Sequence, residues 1–225
     1  MRYSFTALVL AALLASTGVY TQAGEATPSY VRIQTSQGDI LIELDSASAP
    51  KSVENFLTYV REGNYNGTIF HRVVGDFVVQ GGCFTPDFEQ RPTHTPIPTE
   101  ATNGLLNKRG TIAMARSKDQ DSATNQFFIN LSDNLHLNHH APTTGYWGYA
   151  VFGKVVQGMD VVDRIGQSAT GQGGPFPQDV PQPTIVIARV GLVQPSELMT
   201  AQIETGDAGS SAKNHGRSAG AQSTK

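Results

Sequence analysis

Phe70-His-Arg-Val-Val-Gly-Asp-Phe-Val-Val-Gln-Gly-Gly82 is the stretch that decides how this chain is read. Its β-branched and aromatic residues mark a strand, Gly75-Asp76 marks a turn, and Val78 to Gln80 marks a strand again. Alternate residues of a strand share a face. That parity sets Phe70, Arg72 and Val74 on one face of the first strand. It sets Val78 and Gln80 on one face of the second, with Phe77 and Val79 opposite. An arginine and a glutamine among apolar neighbours do not suit a plain core, because an unpaired buried charge is very costly. Their face either opens to solvent or holds a ligand that hydrogen-bonds to it. His71, next to Arg72, points the other way and reads as a structural histidine with its hydrogen bonds satisfied.

Upstream, Val31 to Thr35 and Ile40 to Leu44 alternate apolar and polar residues around a turn at Ser36–Asp39, the pattern of a β-hairpin. Ser46 to Gly63 predicts a helix, with Ser48 as N-cap, Pro50 in the first turn and Gly63 as the stop. Val53, Phe56, Leu57 and Val60 form its apolar stripe. Downstream, Pro86, Pro92, Pro96 and Pro98 keep the segment from Thr85 to Asn107 out of regular ladders. Short strands follow at Gly110–Ala115, Gln126–Leu131, Tyr149–Val156 and Thr184–Val193. Between them lie a polar loop (Arg116–Ala123), a His- and Asn-rich loop (Ser132–Trp147), a short helix (Met159–Ile165) and a Gly/Pro/Gln loop (Gly166–Pro183). The total is eight strands and two helices. The predicted class is mainly β: a closed eight-stranded antiparallel barrel, filled by side chains, with the two helices capping its ends.

The flanks are of another kind. Arg2, the apolar run Phe5–Ala15 and the small residues of Thr21-Gln-Ala23 predict a signal peptide over residues 1–23. The run is too short for a membrane span, which needs about 20 residues. Residues 24–29 read as a linker, 30–194 as the folded domain and 195–225 as a disordered low-complexity tail. Export then delivers a protein with no membrane attachment, to the periplasm if the host is a Gram-negative bacterium.

A formal net charge of −3 on 225 residues gives no electrostatic footprint for nucleic acid. The single cysteine, Cys83, excludes an intramolecular disulfide and reads as a small packing residue. His136, His139 and His140 have the chemistry of metal ligands, but only Asp133 stands near enough in sequence to complete a site, so no metal is expected. Nothing in the sequence signals oligomerisation, and a monomer is expected.

The ordered series Phe70-His-Arg72, Gln80-Gly-Gly82, Met114-Ala-Arg116, Gln126-Phe-Phe-Ile-Asn130 and Val151-Phe-Gly-Lys-Val155 resembles the cyclophilins, which are peptidyl-prolyl cis-trans isomerases. The likeness runs from about Tyr30 to Val193. It is nearest to the exported bacterial branch, through Lys108–Arg116 and Asp121-Ser-Ala-Thr124. The resemblance implies that Arg72 is the catalytic arginine and that Phe77, Val78, Phe128 and Leu137 take the proline ring. It implies that Gln80 and Gln126 orient the substrate and that Ala115 and Arg116 contact the backbone before the proline. Tyr149 stands where many members have histidine, and Val78 replaces a common methionine. His136 stands where eukaryotic members have a tryptophan that contacts cyclosporin. The implied partners are proline-containing peptides and unfolded exported proteins.

The reaction explains these residue types. Amide resonance sets a rotational barrier of about 18–20 kcal/mol, and uncatalysed X-Pro exchange takes tens to hundreds of seconds. No covalent bond breaks, so no nucleophile, metal or cofactor is required. As the bond twists, the proline nitrogen loses conjugation and gains a lone pair. A guanidinium in reach of that lone pair binds the twisted state better than either planar state, and Gln80 is expected to hold Arg72 in place. The alternative is a chaperone module that binds proline peptides with little turnover.

Overall fold

A computed structural model describes residues 29–143, 147–194 and 197. The expected signal peptide, most of the linker, and all of the tail except Glu197 lie outside the described residues. The strands are β1 (Ser29–Thr35), β2 (Gly38–Leu44), β3 (Thr68–Val74), β4 (Val78–Gly81), β5 (Thr111–Met114), β6 (Phe127–Asn130), β7 (Val151–Gln157), β8 (Thr170–Gly173), β9 (Phe176–Pro181) and β10 (Val186–Val193). The helices are α1 (Pro50–Arg61) and α2 (Met159–Gly166). Eight strands close an antiparallel barrel in the order β1-β10-β3-β4-β6-β5-β7-β2, while β8 and β9 form a separate hairpin. The predicted barrel and both capping helices are therefore present.

The interior is built from alternate residues: Val31 and Ile33 of β1, Ile40 and Ile42 of β2, Ile112 of β5, Phe127 and Ile129 of β6, and Phe152 of β7. Phe56 of α1 enters this core and meets Phe127 edge-on at 5.7 Å, the arrangement that aromatic quadrupoles favour. Val161, Val162 and Ile165 of α2 close another part of the same core. Cys83 is fully buried, and that burial pushes its thiol pKa up.

Three expectations are corrected here. First, Ser48 does not cap α1. Position Ala49 is the N-cap and makes no side-chain bond, while Ser48 donates its own N–H to Asp45 Oδ1 at 2.9 Å. The free donors of the first turn go instead to Glu100, a residue of the irregular segment. Its carboxylate accepts the N–H of Lys51 at 3.0 Å, the N–H of Ser52 at 2.7 Å and the Ser52 hydroxyl at 2.7 Å. An anion at a helix N-terminus also meets the positive end of the helix dipole.

Second, the parity within β3 breaks. Phe70 pairs with Gly81 and Arg72 with Gln80, with a β-bulge between Phe70 and Arg72. Phe70 and Val73 point into the barrel, and Phe70 does not share a face with Arg72. Third, Gly166–Pro183 is not a plain loop, because it carries the β8–β9 hairpin. That hairpin lies against β3, with Phe176 stacked on His71 at 5.4 Å and edge-on to Phe84 at 5.2 Å.

Removing the Glu100 carboxylate leaves three donors at the start of α1 without their acceptor. Glu100→Ala is expected to lower stability by roughly 1–2 kcal/mol, read as a lower urea midpoint at unchanged slope.

Candidate active site

The site is built outside the barrel, on the faces of five neighbouring strands. Register alone lines up Arg72 of β3 with Gln80 of β4, Gln80 with Phe128 of β6, Phe128 with Ala113 of β5, and Ala113 with Val151 of β7. Val78, Ala113, Phe128 and Val151 form a second buried cluster, apart from the barrel core. Phe77, Leu105, Ala115, Leu137 and Tyr149 pack around it, partly exposed. Phe127 and Phe128 are thus divided between the two clusters, as neighbours on a strand must be. Phe77 precedes β4 and so escapes its alternation. It packs with Val78, where the sequence parity set it on the opposite face.

This arrangement is an open apolar cup with polar groups along one side. Phe128 meets Tyr149 edge-on at 5.4 Å. Phe77 carries His136 stacked on its ring at 5.6 Å and 17°, and the Arg72 guanidinium carbon lies 5.9 Å from the same ring's centroid. Gln80 Nε2 donates to Gln126 Oε1 at 3.0 Å. Ala115 donates its backbone N–H to the Gln126 carbonyl at 2.9 Å. Arg116 Nε donates to the Gly148 carbonyl at 2.7 Å, which sets its guanidinium 4.6 Å from the Tyr149 ring centroid. All eleven candidate residues therefore join one continuous surface. The expected partnership of Gln80 with Arg72 is replaced: Gln80 is bonded to Gln126, and Arg72 Nε pairs with Asp179 Oδ2 at 3.5 Å.

The walls of the cup are fixed from behind by asparagines that sequence reasoning missed. Asn134 Nδ2 donates to the Phe77 carbonyl at 2.9 Å and to Asn130 Oδ1 at 2.8 Å. Asn130 Nδ2 donates to Asn107 Oδ1 at 3.2 Å. Asn107 Nδ2 reaches the carbonyls of Leu137 at 3.2 Å and Tyr149 at 3.3 Å. All three side chains are buried, and a buried amide is tolerated only when its bonds are made. Here those bonds connect Phe77, Leu137 and Tyr149, which come from three separate segments. The signal in sequence was weak, since asparagine in a loop ordinarily reads as a turn residue.

Of the histidines in the 132–147 loop, His136 stacks on Phe77 and His139 Nδ1 lies 3.0 Å from the Trp147 carbonyl. Among the described residues no three His, Cys, Asp or Glu side chains are grouped to hold a metal ion. A groove of about 550 Å³ lined by Glu43, Leu106, Lys108 and Lys154 shares only Leu105 and Val151 with the cup.

An eight-stranded closed barrel carrying an apolar cup, with a guanidinium and paired glutamines along one side, defines the class of protein. Comparison with known proteins names that class. The family model described as cyclophilin type peptidyl-prolyl cis-trans isomerase/CLD matches residues 30–192. Peptidyl-prolyl cis-trans isomerase cyp18 of Streptomyces antibioticus is 57% identical over 159 residues, covering 71% of this chain and 95% of the relative. Peptidyl-prolyl cis-trans isomerase B of Escherichia coli is 52% identical over 160 residues, covering 71% and 97%. The crystal structure of a Cryptosporidium parvum cyclophilin-type isomerase, obtained in the presence of the dipeptide Ala-Pro, superimposes with a TM-score of 0.59 at 27% identity, covering 73% of this chain and 99% of that one. The chain belongs to the cyclophilin-type peptidyl-prolyl cis-trans isomerases.

His71 gives the site a pH signature. It is 3% exposed and its Nδ1 has no hydrogen-bond partner, so it is structural but not satisfied as the sequence reading held. Burial first, then the neighbouring Arg72 charge, lower its pKa to about 4, against a weaker opposing contact with the Gln126 side chain. The unfolded chain takes up this proton near pH 6.5 and the folded chain only near 4. Stability is therefore complete above about 6.5 and falls as the pH drops through that window. Between pH 7 and pH 5 this single group should remove about 2 kcal/mol. Urea unfolding of the wild type and of His71→Gln at both pH values checks it, and the variant should lose less by about that amount.

Proposed function

We propose that this enzyme accelerates rotation about X-Pro bonds through Arg72, whose guanidinium stabilises the twisted amide nitrogen. One observation carries the reading. Arg72 stands in register with the apolar cluster through Gln80 and Phe128, and no hydrogen bond among the described residues occupies its terminal nitrogens. The proline ring lies on Phe77, Val78, Phe128 and Leu137. Ala115 and Arg116 line the path of the preceding residue, and Gln80 with Gln126 supplies amide groups to the peptide backbone. The lone pair exists only mid-rotation, so the bond from Arg72 forms in the transition state and not in either planar state. Arginine suits the task because its charge is permanent and its fork is rigid. The chemistry asks for no cofactor.

The substrates are proline-containing segments of exported proteins during folding, and the place of action is the periplasm. This reading is supported by the charged, apolar and small-residue order of residues 1–23. Among the described residues no helix is long and apolar enough to cross a membrane.

The test is a protease-coupled assay on Ala-Pro peptides. Arg72→Ala should lower kcat/KM on the order of 10²–10³-fold, with the thermal midpoint near that of the wild type. An unchanged rate would remove Arg72 from the reaction and favour peptide holding over turnover.

A further inference from the structure

Arg72 sits on a strand whose alternation has been interrupted, and so does the residue that meets it. In the β8–β9 hairpin, Gly171 pairs with Val180 and Gly173 pairs with Phe176. Only Gln172 lies between the first strand's two pairs, while Pro177, Gln178 and Asp179 lie between the second's. This is a bulge of two extra residues in β9. Asp179 stands at its end with φ of +67°, a left-handed conformation that few residues other than glycine adopt and that aspartate tolerates better than most. Bulges are devices for re-aiming a side chain, and they gather next to active sites. Here the bulge turns a carboxylate out of a peripheral hairpin and onto β3, where its Oδ2 lies 3.5 Å from Arg72 Nε.

The hairpin that carries Asp179 is itself held. His71 stacks on Phe176, and Phe84 and Phe88 pack on Phe176 from other sides. Val180 is buried, and a Cβ at Gly173 would stand 2.7 Å from Val180 Cγ1 and 2.8 Å from Phe88 Cζ, so the turn closes tightly on these rings. The bulge in β3 exposes two consecutive side chains to this hairpin. His71 anchors it, and Arg72 receives its carboxylate.

We infer that Asp179 is a positioning residue for Arg72: its carboxylate holds the Nε edge of the guanidinium so that the terminal N–H groups face the cup. The inference rests on the proposed role of Arg72 and adds the group that aims it. Two effects of the carboxylate oppose one another. It offsets part of the guanidinium charge, which weakens the pull on the lone pair. It also restricts a long side chain with several rotatable bonds. Orientation prevails, because the pair is partly open to solvent, which screens the charge, while a hydrogen bond weakens steeply once its angle falls away. A misplaced catalytic group likewise costs rate more than affinity.

The experiment measures kcat and KM separately on the full chain for the wild type, Asp179→Asn, Asp179→Gly, Arg72→Ala and the double variant Arg72→Ala/Asp179→Asn. Asparagine keeps the size and the tolerance of positive φ, and glycine relieves the backbone outright, so thermal midpoints should stay close to wild type. Both Asp179 substitutions should lower kcat on the order of fivefold with KM within about twofold. In the Arg72→Ala background, Asp179→Asn should add no further loss. Wild-type or raised kcat in Asp179→Asn overturns the inference, and so does an equal loss in the Arg72→Ala background, which would place the aspartate's effect elsewhere. If Arg72→Ala itself keeps wild-type kcat, the reading of Arg72 fails first and that failure is seen separately.

Discussion

One conflict on strand β3 governs this molecule. The barrel interior admits apolar groups and rejects an unpaired charge, so Phe70 must point in and Arg72 must point out. A regular strand puts residues two apart on the same face and cannot satisfy both. The bulge between them resolves the conflict. Phe70 and Val73 fill the core, and His71 and Arg72 both stand outside it. The rest of the site is referred to that one irregularity. Ordinary antiparallel pairing then carries the Arg72 position across β4, β6, β5 and β7 to the apolar cluster.

The cup depends on a second constraint, which is polar and hidden. Its walls come from the start of β4, the turn around Leu137 and the approach to β7, segments with no strand pairing to one another. Asn107, Asn130 and Asn134 join them through side-chain amides to backbone carbonyls. Such a network is expensive unless complete, and once complete it leaves few alternative arrangements. An apolar floor can repack; a set of amides bonded to three fixed carbonyls cannot shift without breaking several bonds together. The shape of the apolar cup is thereby set by polar chemistry lying behind it.

Most of the architecture was legible because local patterns agreed with the global fold. The β1–β2 hairpin and both helices are marked by period and the remaining barrel strands by short apolar runs between turn residues, and the two-cluster division of Phe127 and Phe128 follows from strand geometry alone. The misreadings have physical reasons. Parity failed at Phe70–Arg72 because a bulge leaves no local mark when the extra residue is an ordinary strand former. Ser48 looked like the cap of α1, yet the acceptor for the first turn arrives from Glu100, 48 residues on from Ser52. The β8–β9 hairpin reads as a loop in sequence because Thr170–Pro181 is poor in β-formers. Its pairing is stabilised by rings of distant origin, the tertiary context that overrides propensity. Asp179 was invisible for the same reason, being meaningful only once that hairpin lies on β3.

The order of strands around the barrel has a consequence for how the protein comes into being. β1 lies between β2 and β10, so the first and last strands of the domain are partners. A chain supplied N-terminus first can fold the β1–β2 hairpin at once, but one edge of β1 then waits for Val186–Val193. At ordinary rates of synthesis that wait is on the order of ten seconds. Throughout it the hairpin exposes an unpaired edge and an unburied apolar face, the features that recruit holding factors or invite misassociation. A peptidyl-prolyl isomerase of this topology thus cannot finish its own fold until its last strand arrives.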